Sequence, residues 1–491
     1  QHWRVKMPLI LGTNSIKDTG YDVANSLRLN GGDNCRLSRT SPNTAPTNAD
    51  KFTISFWIKR SSEDAGSGFE HQQVFTTYNN TDTTNFQEFQ IYFTQNTLKV
   101  QTYYSSNQMS LVTSRVFRDT NSWYSIIFIY DSSQGTASNR QKLYINGVQE
   151  TSFSTETYSG QNVDGQFAIQ NHPQIIGTRL NDDRDPDYYL AEFIGVDGQA
   201  LAHTDFGEFD EDSGIWKPKD ISGIDVGNLG FYLDFENSSA LGTDVSGVGN
   251  FTLTNLAATD QSTDTCTNNF ATLNPNQSNN AKDSVNSLAE GNLRFNDTNN
   301  ADWRTVIGTL GVNSGKWYWE AEVVGMNGSI LVGVGRQNYL PTTLNKTSSA
   351  YPGADSGDFS ASYRENGIFY TNGSSSSGKS TFTSAGDTVM VALDMDNGAV
   401  YFGVNGTWND SGDPTSGASK TGASYTGIQT GEFYSPSVSG SATNSTIDFN
   451  FGNPPFTISS GNSDANGYGN FEYAVPSGYY ALNSKNLAEF G

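Results

Sequence analysis

Two pairs of carboxylates stand two residues apart in this sequence: Asp234 and Glu236 in "YLDFEN", and Asp394 and Asp396 in "LDMDNG". Cleaving a glycosidic bond takes two carboxyl groups facing each other in a groove, about 5–9 Å apart. Asp396, beside Asn397-Gly398, reads instead as a turn-former. A second acidic cluster is the loop "NDDRDPD", with Asp182, Asp183, Asp185 and Asp187, and a third is Asp210, Glu211 and Asp212. Oxygen ligands at the density of the first loop suit Ca2+. The alternative is a solvated acidic loop, because Arg184 sits inside the run and no Asp-x-Asp-x-Asp-Gly spacing is present.

Aromatic side chains in polar loops offer a different chemistry. A sugar ring presents an apolar face that stacks on an aromatic ring while neighbouring polar groups bind its hydroxyls. Tyr78, Phe86, Tyr103 and Tyr104 read as loop aromatics in the first half of the chain, and Tyr339, Tyr351 and Trp408 in the second. Core packing is the competing role for each taken singly. The two cysteines, Cys35 and Cys266, make no disulfide framework and read as buried thiols, although one bridge between them is open. His2, His71, His172 and His203 have no ligand spacing for zinc. No Ser-His-Asp set, phosphate-binding glycine loop or histidine-rich motif is present.

Composition bounds the partners. The 491 residues carry a formal net charge of −23, so a nucleic-acid backbone or an anionic membrane surface is excluded as a natural partner. No apolar run approaches the ~18 residues of a membrane-spanning helix. Only 35% of residues are hydrophobic, yet 12% are aromatic, which argues for folded domains rather than disorder. Fifty glycines with 29 Phe and 24 Tyr suit many short strands joined by tight turns.

The elements that must position these residues read as strands almost throughout. In "KFTISFWIKR", Phe52, Ile54, Phe56 and Ile58 share a face. "FQIYF" and "LKVQTYY" form a hairpin pair across Thr94–Thr97. "WYSIIFIYD" is continuously apolar, as a strand covered on both faces must be. Asn146-Gly147, Asn397-Gly398 and Asn405-Gly406 are hairpin turn signals, because both turn positions need positive φ. The best helical piece is the short "GQALAHTDFGEF". Residues 255–289 are rich in Asn, Thr and Ser and lose apolar periodicity, which reads as an extended connector. In "GKWYWEAEV", Trp317, Trp319, Ala321 and Val323 fall on one face and Lys316, Tyr318, Glu320 and Glu322 on the other. Tyr318 is therefore the one surface candidate among the three aromatics. The expected organisation is an N-terminal segment 1–19, a β-sandwich over 20–254, the connector 255–289 and a second β-sandwich over 290–491.

The order "FTISFWIKR", "WYSIIFIYD", "KLYINGVQE", "IIGTRL", "YYLAEFIGVDG" resembles the concanavalin A-like jelly roll of laminin G and pentraxin type. That resemblance implies a two-sheet sandwich with rim loops that bind glycans, in some members around calcium. Related glucan-cleaving enzymes carry Glu-x-Asp-x-x-Glu on one strand, and neither carboxylate pair here supplies it, so no catalytic residues are expected. "GKWYWEAEV", "VGVG", "GDTVMVALDMDNGAVYFGVNG", "YSPSVS" and "FNFGNPPF" resemble the SPRY pattern, another β-sandwich that binds through loops at one edge. The longer phrases "YYLAEFIGVDGQALAHTDFGEFDEDSGIWKPK" and "TNNFATLNPNQ" resemble virion fibre and appendage proteins of marine tailed bacteriophages. This last resemblance implies a non-enzymatic protein on the virion surface, a homotrimer in contact with other virion proteins, with host-surface glycans as partners. A capsid or tail decoration protein that stabilises the particle without host binding is the alternative role, and a polysaccharide-degrading spike a further one.

Overall fold

The computed structural model describes residues 18–63, 71–78, 87–104, 107–177, 186–278, 286–297, 303–339, 351–441 and 444–491. The chain is all-β and divides into two compact units, Thr19–Thr267 and Asn268–Gly491.

Among the described residues the first unit forms two antiparallel eight-stranded sheets. One runs in the order Val148–Gln149, Gln141–Ile145, Tyr124–Asp131, Lys51–Arg60, Tyr188–Asp197, Ser26–Leu29 and Gln261–Ser262, with Phe231–Leu233 also on Tyr188–Asp197. The other runs Phe153–Thr157, Asn107–Val116, Thr97–Tyr104, Gln87–Thr94, His71–Tyr78, Pro173–Gly177, Arg36–Thr40 and Thr252–Thr254. Period-two alternation sends Phe52, Ile54, Phe56 and Ile58 into the space between the sheets, where they meet Phe75, Phe89, Ile91 and Val100. Phe52 stacks on Tyr130 and Phe167, each at 5.0 Å, and meets Phe89 edge-on at 5.1 Å. Such ring pairs add to the area term of burial.

The outer face of the first sheet is also covered. Trp57, Trp123, Ile127, Tyr189 and Ile194 project outward and are buried under Phe206, Trp216, Ile221 and Val226 from the segment after Tyr188–Asp197. This second layer explains why the run Ile126–Tyr130 is apolar without alternation: Ile126 and Phe128 face the inner core and Ile127 the outer one. The expected helical piece contributes a single 3-10 turn, His203–Asp205. The described α-helix is Ser484–Phe490, started by the Asn483 side chain accepting from the Asn486 N–H.

The polar stretch expected as a connector is partly paired. Gln261–Ser262 adds to the first unit's first sheet, while Leu273–Ser278 and Asn286–Ala289 belong to sheets of the second unit. Main-chain hydrogen bonding needs no apolar side chain, so hydropathy periodicity missed these strands.

In the second unit a seven-stranded sheet runs Leu273–Ser278, Arg304–Gly308, Tyr434–Ser441, Ser329–Arg336, Ala361–Arg364, Ile368–Thr371 and Ser374–Ser376. It faces an eight-stranded sheet centred on Lys316–Gly325, which pairs with Thr388–Asp394 on one side and Ser445–Asn450 on the other. Trp317, Trp319, Ala321 and Val323 point into the core between the sheets, as alternation requires. Tyr318 does not face solvent. It is fully buried with Phe471, Tyr479 and Ala481, because the C-terminal segment lays a further layer over this sheet and Tyr480–Ala481 pairs in parallel with Trp317 and Tyr318. Glu320, expected on the exposed face, is equally buried, and its carboxylate accepts from the Glu472 and Tyr473 main-chain N–H groups at 2.9 and 2.8 Å.

The turn signals differ in detail. Asn146-Gly147 and Asn405-Gly406 are two-residue turns with positive φ at both residues. Asn397-Gly398 lies in a four-residue loop between Asp394 and Ala399, with positive φ at Gly398 alone.

Candidate functional site

The second sheet of the first unit has an outer face built from alternate residues. On Thr97–Tyr104, Leu98 and Val100 join the core, which leaves Lys99, Gln101 and Tyr103 on the other side, each half-exposed. Register sets Tyr92 opposite Lys99, Gln90 opposite Gln101, and Glu88 opposite Tyr103. Gln101 Nε2 donates to Gln90 Oε1 at 2.9 Å, Thr76 Oγ1 donates to Glu88 Oε1 at 3.2 Å, and Lys99 Nζ lies 5.5 Å from the Tyr92 ring centre. The result is a row of amides, hydroxyls and tyrosine rings across three strands. Tyr103 was expected in a loop and sits in this row. Tyr78 takes the register position opposite Glu88 on its other side, and Tyr104 pairs opposite Gln87. All three candidates are therefore strand-end residues, and Phe86 lies outside the described residues.

In the second unit Tyr351 belongs to an aromatic group that spacing in sequence could not show. Its ring meets Trp303 edge-on at 5.0 Å and Tyr370 at 5.2 Å. The Arg364 guanidinium lies 5.5 Å from the Trp303 ring centre, donates to Ser329 Oγ at 2.7 Å and pairs with Glu365 at 3.3 Å. Trp303, Tyr351, Tyr370 and Arg364 are all half-buried, so one side of the group meets solvent. Tyr363 and Phe369, the intervening residues of the same hairpin, fill the core, which leaves Arg364 and Tyr370 on the opposite face. Trp408 is not part of this group. It packs half-buried against Tyr318 and the cluster under the C-terminal segment. Tyr339 donates to Asp355 Oδ2 at 3.0 Å.

The sequence-picked carboxylates hold turns. Asp394 accepts from the Asn397 N–H at 2.9 Å and pairs with Lys316 at 3.3 Å, and Asp396 accepts from the Gly315 N–H at 2.7 Å. Asp234 accepts from the Glu236 N–H at 3.1 Å. The carboxyl most altered in this region is Glu192, which no sequence motif marks. It is 4% exposed and sits at φ +50° on a bulge, where Tyr188–Asp197 slips register against Lys51–Arg60 between Ala191 and Ile194. Tyr232 donates its hydroxyl to Glu192 Oε2 at 2.6 Å. Burial pushes the Glu192 carboxyl up to about 7, against the hydrogen bond from Tyr232 and with help from the charges of Asp234 and Glu236. The visible signal was a lone acid inside the apolar run "YYLAEFIGV".

Asp182, Asp183 and Asp185 lie outside the described residues. Asp187 is half-buried, and its main-chain carbonyl accepts from the Ser61 N–H at 3.0 Å. Among the described residues no group of three or more His, Cys, Asp or Glu side chains is placed to hold a metal ion. Asp210 accepts from Ser213 at 2.7 Å and pairs with Lys217 at 3.4 Å, which makes it a hairpin-turn residue. Cys35 and Cys266 are both free thiols, and burial pushes Cys35 up to about 12.

Comparison with known proteins follows this division. Residues 30–184 match the laminin G profile of the Concanavalin A-like lectin/glucanases superfamily, and residues 316–454 match the SPRY domain. Both domain types are thus found in one chain. The SPRY domain of human HERC1 is similar at 20% identity, covering 36% of this chain and 96% of that one, with a TM-score of 0.27. The heptameric SAP-like pentraxin from Limulus polyphemus is similar at 16% identity over 37% and 80%, with a TM-score of 0.27. The TRIM65 PSpry domain is similar at 13% identity over 37% and 88%, with a TM-score of 0.26. No curated protein matches the chain in sequence.

Proposed function

We propose that this chain is a non-enzymatic glycan-binding protein of a bacteriophage virion appendage. The observation that carries the binding part is the half-exposed group Trp303, Tyr351 and Tyr370 with Arg364 beside it. Rings open on one side suit the apolar face of a sugar, and the neighbouring guanidinium suits its hydroxyls. The row Lys99, Gln101 and Tyr103 on the first unit offers a second surface of the same chemistry. The virion setting rests on the resemblance of the long phrases around residues 188–219 and 267–277. Shallow sites become effective when copies act together, because the second contact is intramolecular, and a homotrimer in contact with other virion proteins supplies such copies.

The test is a glycan array probed with the intact full chain, with and without calcium, beside Tyr351→Ala and Tyr103→Ala. Binding to a defined set of glycans is expected, weakened roughly threefold to tenfold per site when a stacking ring is lost. A wild-type chain that retains no glycan in either condition overturns the reading in favour of a particle-stabilising role. A glycan signal that neither variant changes moves the site elsewhere.

A further inference from the structure

Lys59 and Asp264 lie 205 residues apart in sequence and meet in the outer core of the first unit. Lys59 follows Ile58, so alternation turns it away from the inner core and onto the covered outer face. The two side chains are 1% and 0% exposed, and Lys59 Nζ is 2.6 Å from Asp264 Oδ2. The other carboxylate oxygen, Oδ1, accepts the Trp123 indole N–H at 3.0 Å. The Asp264 main chain is held as well: its carbonyl accepts from Ser26 Oγ at 2.6 Å, and its N–H donates to Ser262 Oγ at 3.1 Å. The Tyr189 ring centre lies 5.4 Å from Lys59 Nζ. Both reacting groups are therefore fixed in place, in surroundings of Trp57, Trp123 and Tyr189.

A charged pair in such surroundings has lost its hydration. The species that attacks is the neutral amine, reached when the ammonium passes one proton to the carboxylate it touches. The Lys59 nitrogen, 2.6 Å from Oδ2, is one C–O bond removed from the carboxyl carbon it would attack. The Trp123 N–H polarises the C–Oδ1 bond toward that attack.

We propose that Lys59 and Asp264 condense into an intramolecular isopeptide cross-link. The Nζ–Cγ bond forms and the Cγ–Oδ2 bond breaks. Two of the three ammonium protons leave with Oδ2 as water, and the third stays on the amide nitrogen. No oxidant, reductant or cofactor enters the balance. The buried site excludes the water that would reverse the step. The cross-link ties the strand Lys51–Arg60 to the last residues of the first unit, so that unit resists unravelling from its C-terminal end.

The experiment is intact-mass measurement of the purified full chain in denaturant, followed by a tryptic map. The expected result is a chain one water lighter than its sequence, loss of cleavage after Lys59, and a branched peptide joining Lys59 to Asp264. Lys59→Met is expected to restore the full sequence mass. A wild-type chain at full sequence mass, or a water loss located by fragmentation at other residues, overturns the proposal. The wild-type measurement decides even where the variant fails to fold.

Discussion

Replacing Glu192 by Gln should make the first unit's stability nearly independent of pH where the wild-type unit weakens. In the folded chain this carboxyl is pushed from 4.5 up to about 7, chiefly by burial. Between these values the folded state holds a proton that the unfolded state has released, so stability is full below about pH 4.5 and falls as pH rises through 7. The shift corresponds to about 3 kcal/mol at 1.36 kcal/mol per unit. For a domain of this size that is roughly 6–12 °C in the unfolding midpoint. Gln keeps the shape of the protonated acid and an oxygen to accept the Tyr232 hydroxyl, so it escapes the penalty of ionisation. The assay is calorimetric unfolding of both full chains at several pH values from 5 to 8.5. The difference between variant and wild type should grow across this range in favour of the variant, in the transition belonging to the first unit. A difference that stays constant from pH 5 to 8.5 refutes the reasoning.

Arg39 is 7% exposed and donates to Gln174, Asp244 and the carbonyls of Leu229, Gly230 and Gly249. Arg39→Ala removes the ion-pair partner of buried Asp244, which keeps only hydrogen bonds from Tyr232, Ser246 and Gly249, so a loss of about 3–5 kcal/mol is expected in urea unfolding, and a loss below ~1 kcal/mol contradicts the assignment. Trp319→Ala opens the second core and should cost about 3–5 kcal/mol by the same assay. Val324→Ala, exposed on the same strand, should stay within ~0.5 kcal/mol, and similar losses for the two would count against this division of faces. Cys35, buried with its thiol pushed up to about 12, should resist alkylation at pH 8 until the chain is unfolded. Labelling of the native chain as fast as of the denatured one, read by peptide mass, refutes that.

Local alternation in the sequence was enough to assign inner faces. Phe52, Ile54, Phe56 and Ile58, and likewise Trp317, Trp319, Ala321 and Val323, point where a period of two puts them. The Asn-Gly turns at 146–147 and 405–406 were equally legible, because positive φ at both residues is a local demand. Periodicity says which residues share a face and leaves open what covers that face. Tyr318 and Glu320 are buried by a segment some 150 residues further along the chain, brought there by folding of the second unit. Candidate chemistry divides in the same way. Tyr351 was visible singly as an aromatic in a polar stretch, but its neighbours Trp303 and Tyr370 come from other elements. Glu192 with Tyr232, and Lys59 with Asp264, likewise join residues that no motif links. Short-range spacing constrains φ, ψ and side-chain direction. Burial, pKa and the meeting of distant groups depend on which surfaces close on one another, and only the tertiary structure decides that.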